Sequence, residues 1–100
     1  MSIDAAAQPQ STLVALPDDV LLRHVGGEAV LLHLPTGTYF GLEPIGTRML
    51  TLALQLADAA AVVAALEAEY VAEPERLARD LETLLGELAE ASLVVREPAA

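Results

Sequence analysis

Two turn signals, Gly26-Gly27 and Pro35-Thr36-Gly37, cut residues 19–42 into three short apolar runs: DVLLRHV, EAVLLHL and TYFGL. None is long enough for a stable helix, so the chain is expected to form strands here. A Gly-Gly pair between apolar runs favours a two-residue hairpin, because glycine accepts positive φ. That turn sets a register in which His24 faces Ala29 and Val20 faces His33. The three runs predict an antiparallel meander whose third strand, Thr38 to Leu42, is short, aromatic and uncharged.

Beyond Leu42 the apolar period changes from 2 to 3.6. Ile45, Met49, Leu52 and Leu56 recur at helical spacing behind Pro44, which suits a first helical turn. Asp58 is placed to cap a second helix carrying Val62, Val63, Leu66 and Tyr70, which stops near Val71-Ala72. Pro74 opens a third helix, PERLARDLETLLGELAEAS, with Leu77, Leu81, Leu84, Leu85 and Leu88 on one stripe. Glu75–Arg79 and Arg76–Asp80 are i,i+4 pairs of opposite charge on that helix. The fold class expected is α+β, a three-stranded antiparallel sheet followed by three helices. Residues 1–17 read as a disordered tail, 18–96 as one domain and 97–100 as a frayed end.

Composition limits the functions open to such a domain. The net charge is −10, with 15 acids against 5 bases, and every base is an arginine. Arg23, Arg48, Arg76, Arg79 and Arg96 are scattered, which disfavours phosphate neutralisation and so both nucleic acid and an anionic membrane surface. The apolar stretch from Leu50 to Leu66 is interrupted by Gln55 and Asp58 and falls short of the ~20 residues of a membrane helix. Without cysteine there is no disulfide, thiolate metal site or thiol nucleophile, and a cytoplasmic location is expected. No signal peptide is visible in MSIDAAAQPQ.

Catalytic constellations are missing from the sequence. His24 and His33 lack a carboxylate or thiolate partner at metal-ligand spacing and read as surface or half-buried histidines. No Ser or Thr lies in a nucleophile elbow, and the acids are spread along helix faces. Gly37, Gly41 and Gly46 lack the lysine of a phosphate loop and read as a turn, a close backbone approach and a helix start. No enzyme activity, cofactor or metal is expected. Gly86 reads as tight helix packing or plain tolerance, and Tyr70 as a cap on the core.

Tyr39 and Phe40 are two of only three aromatic residues. Side chains alternate across a strand, so the two rings point to opposite sides: one can be core while the other faces solvent, a helix or a partner, or both are buried by the protein's own helices and tail. A strand edge without charge or proline is also unguarded against pairing with another chain.

Together these residues resemble a known family. The run DVLLRHVGGEAVLLHLPTGTYFGLEPIGTRML, then AALEAEY and EPERLARDLETLLGELAEASLV, is similar to the PqqD-like peptide chaperones. These are also called precursor-peptide recognition elements of ribosomally made, modified peptides. The most specific segment is LPTGTYFGL, Leu34 to Leu42, with Gly46 following; the chain departs from the family at Glu43-Pro44. The resemblance implies a winged-helix-like α+β domain without catalysis. It implies that the leader of a precursor peptide adds as a strand to Thr38, Tyr39, Phe40, Gly41 and Leu42. The facing wall is then expected from Leu77, Asp80, Leu81, Leu84 and Leu88. Within the family the chain is most similar to the stand-alone recognition proteins of lasso peptide clusters, which deliver the precursor to a leader peptidase. The alternative is a chaperone presenting its peptide to a radical SAM enzyme in the PQQ pathway. A winged-helix DNA binder and a dimerisation module using the same edge are the remaining readings, with a monomer expected.

Overall fold

A computed structural model describes residues 12–96. The elements are β1 (Val14–Ala15), β2 (Val20–Val25), β3 (Glu28–His33), β4 (Thr38–Leu42), α1 (Pro44–Ala53), α2 (Ala59–Glu67), α3 (Pro74–Glu90) and β5 (Val95–Arg96). Strands β2, β3 and β4 form the expected antiparallel meander, in that spatial order. The hairpin register is the one the Gly-Gly turn predicts, with His24 opposite Ala29 and Val20 opposite His33. Of the two turn glycines only Gly26 takes positive φ, at 65°.

Helix boundaries follow local chemistry. Pro44 and Pro74 stand in the first turns of α1 and α3, where a missing N–H costs nothing. Glu43 precedes α1 without a side-chain cap, whereas Asp58 caps α2 by accepting the Ala61 N–H at 2.7 Å. Helix α1 ends before Leu56 and α2 ends before Tyr70, each earlier than the apolar spacing predicts. Helix α3 closes with a Schellman arrangement: the Leu93 N–H donates to the Leu88 carbonyl and the Ser92 N–H to that of Ala89. Ser92 accordingly takes φ 63°, the left-handed region usually given to glycine.

Helix α1 packs on β3 and β4, and α2 and α3 pack on α1 and on each other. The core between them is apolar throughout the described residues, with Leu31, Leu50, Leu66, Leu77, Leu81, Leu85 and Leu88 among its fully buried side chains.

One segment differs from expectation. Val14, placed by sequence in a disordered tail, is fully buried and pairs with Arg96, while Ala15 pairs with Val95. The Leu13 N–H also donates to the Leu56 carbonyl at 2.9 Å. An apolar LVAL run with core space to fill and a strand to meet is ordered by tertiary contacts that no local pattern reveals. Residues 1–11 and 97–100, the rest of the expected tails, lie outside the described residues. A bidentate ion pair from Arg96 to Glu82 fastens β5 to α3.

Candidate functional site

Strand β4 pairs with β3 on one side, and among the described residues no strand pairs with its other side. Which main-chain groups face that open side follows from the ladder. In a central antiparallel strand, successive residues turn their N–H and C=O groups to opposite neighbours. Beyond β3, the Leu34 N–H turns to the β2 side and bonds the Asp19 carbonyl. Ala29, of opposite parity, turns to the β4 side, where its N–H meets the Thr47 hydroxyl at 2.8 Å. Thus Ala29, Leu31 and His33 address β4, and their partners are Leu42, Phe40 and Thr38. The groups of Tyr39 and Gly41 are left pointing outward, two donors and two acceptors.

Beside this edge runs a groove. Phe40, Gly41, Leu42, Ile45, Gly46 and Met49 line it from β4 and α1, Glu43 from the junction between them, and Asp80, Leu84 and Glu87 from α3. It continues past Ile45 and Asp80 towards Tyr70, Val71 and Arg76. In the other direction it passes Phe40 to reach Thr38, His33, Ala91 and Leu93. At that end the Thr36 hydroxyl donates to Thr38 Oγ1 at 2.9 Å and lies 2.8 Å from His33 Nδ1. The floor is apolar, while Asp80 and Glu87 place acid on the rim; Arg76 approaches Asp80 to 3.7 Å. Among the described residues no group of His, Asp or Glu is placed to hold a metal ion.

The two rings divide as strand alternation requires. Phe40 is half-buried against the core, and Tyr39 is 70% exposed on the sheet's outer face. Thr38 and Gly41 are exposed, and Leu42 is buried at the groove's edge. Of the expected α3 wall, Asp80 and Leu84 line the groove. Leu81 and Leu88 do not: at 1% and 0% exposure they belong to the core. Leu77 is equally buried and touches only the groove's continuation near Arg76. Helix α3 presents Asp80, Leu84 and Glu87 along one line and turns its leucine stripe inward. The contributions of Glu43, Ile45, Gly46, Met49 and Glu87 were missed by sequence reasoning. Glu87 was within reach of it, since 80, 84 and 87 share a helix face.

Comparison with known proteins decides the family. The sequence profile of coenzyme PQQ synthesis protein D (PqqD) matches residues 28–94, more than half of the chain. The chain belongs to the PqqD family. This PqqD-family chain is similar to a solved structure of TbiB1 in complex with the TbiA(beta) leader peptide. The two are 39% identical over 80% of this chain and 93% of that one, with a TM-score of 0.73. It also shares its fold with a lasso peptide synthetase B1 complexed with the leader peptide, at 23% identity, 83% and 98% coverage and a TM-score of 0.77. Among curated proteins none matches. No helix among the described residues is long and apolar enough to cross a membrane.

Proposed function

We propose that this PqqD-family protein is a non-catalytic recognition element. In this reading it binds the leader of a ribosomally made precursor peptide, of the lasso type, and delivers it to a leader peptidase or other maturation enzyme. The observation that carries the reading is the open edge of β4 lying along a groove walled by α3. An incoming strand bonds the outward groups of Tyr39 and Gly41, while its alternate side chains fall into the groove. Main-chain bonds contribute only about 0.5–1.5 kcal/mol each, so they fix register and direction. Affinity and choice of guest then come from the apolar floor made by Phe40, Leu42, Ile45 and Leu84, where each buried aliphatic side chain contributes about 1.5–3 kcal/mol. The likeness to TbiB1, solved with a leader peptide, supports leader binding, and the lasso type is preferred to the PQQ type on the resemblance of the edge strand and acidic third helix. Acid on the groove rim disfavours nucleic acid as the occupant.

The test is a titration of labelled leader peptides: the TbiA(beta) leader, and the leader of a short precursor sought among the genes neighbouring this protein's own. Saturable binding at tens of micromolar or tighter is expected. No binding by either peptide in that range overturns the reading.

A further inference from the structure

Gly46 occupies the third position of α1, a place where its conformational freedom is not used. Its φ lies outside the left-handed region, unlike those of Gly26 and Gly37. Nor is it required by close packing. An added Cβ would lie 3.8 Å from the Leu42 Cβ and 3.8 Å from the Leu84 Cδ2, both ordinary van der Waals distances. Helix propensity argues against it, since glycine is the poorest helix former after proline. What its missing side chain does provide is room, because Gly46 lines the groove between β4 and α3. The nearest atoms on either side belong to Leu42 on the strand wall and Leu84 on the helix wall.

We propose that Gly46 is a specificity-determining residue whose missing side chain leaves a socket for one bulky apolar side chain of the incoming strand. The inference rests on the peptide-binding reading above and adds the residue that sets which guest fits. The groove around the socket presents hydrocarbon from Leu42, Leu84, Phe40, Ile45 and Met49, with the carboxylates of Glu43, Asp80 and Glu87 also lining it. The atoms nearest the socket, from Leu42 and Leu84, offer no hydrogen-bond partner, so a polar guest group seated there loses its water uncompensated, and an acidic one also meets the carboxylates of the rim. A longer residue at position 46 would fill the socket from beneath and hold the guest off the floor, without disturbing the β4 edge.

The experiment is a series, Gly46→Ala, Gly46→Val and Gly46→Leu, titrated with the same two leader peptides and with a set of their single alanine replacements. Circular dichroism and melting temperature report the fold. Affinity is expected to fall along the series, by about tenfold or more at Val, with a wild-type fold. One leader position should couple to the series: its alanine replacement weakens binding to the wild type and leaves binding to Gly46→Leu unchanged. Wild-type affinity across the series overturns the assignment while the peptide-binding reading stands. An equal loss for every peptide in the set also overturns it, because that marks general distortion. If the wild type binds neither leader, both readings fall together.

Discussion

Thr47 Oγ1 accepts the backbone N–H of Ala29 at 2.8 Å, so a helix side chain stands where a β4 carbonyl would complete the ladder. The same hydroxyl lies 3.3 Å from the Leu42 carbonyl, to which it donates. One side chain thereby ends the β3–β4 ladder and ties α1 to the strand that borders the groove. Replacing Thr47 by Val keeps the shape and removes the partner of a part-buried N–H. A loss of about 1–3 kcal/mol is expected, against a much smaller one for Thr47→Ser, as read by urea denaturation.

Leu81 and Leu84 separate core from groove on the same helix. Leu81→Asp buries a charge in an all-apolar core and should abolish the cooperative melt. Leu84→Asp, at a half-buried groove position, should retain most of the helical circular dichroism while leader binding falls at least about tenfold. The reverse pattern would place the binding wall on the buried stripe.

The outward orientation of Gly41 can be tested through its N–H. Gly41→Pro removes a donor that the β3 ladder does not use, and proline is tolerated on the open side of an edge strand. Melting should stay close to wild type while leader affinity drops. Proline at Phe40, whose N–H faces β3, should instead unfold the sheet.

Ser92 holds φ 63° at the end of α3, a conformation in which glycine carries no side-chain penalty. The side chain is exposed and makes no hydrogen bond among the described residues. Ser92→Gly is expected to stabilise the fold by up to about 1 kcal/mol, measured by thermal or urea unfolding.

Hydrogen bonds from the Arg96 guanidinium hold the Glu82 carboxyl below its ordinary range, against a slight opposing effect of burial. The folded protein therefore favours the ionised form. The resulting stability is present above the unfolded carboxylate pKa of about 4.3 and is lost as pH falls through the lower folded value. Glu82→Gln should cost less than about 1 kcal/mol at neutral pH, since the pair is largely exposed and screened. The difference from wild type should vanish in acid and shrink in high salt.

The parts of this fold set by neighbouring residues were legible in the sequence. Gly26-Gly27 determined the β2–β3 register, Asp58 and the two prolines marked helix starts, and alternation separated Tyr39 from Phe40. Features set by distant packing were not. Val14 belongs to a two-residue strand, too short for any periodicity, and its partner Arg96 lies at the other end of the described chain. The five leucines of α3 form one stripe in sequence. How far the helix rolls against the sheet decides that Leu84 meets the groove and Leu81 the core. The same roll, with the seating of α1, brings Ile45, Gly46 and Met49 to the floor.

The β1–β5 pair has a mechanical meaning. Val14 lies opposite Arg96, so the chain enters β1 and leaves β5 at the same end of the ladder. Tension applied between the two ends, as when both are tethered to large bodies, therefore unzips this pair rung by rung instead of shearing it. The load then falls first on the Leu13–Leu56 bond, the buried Val14 and the Arg96–Glu82 pair, which stand between the pulled ends and the groove.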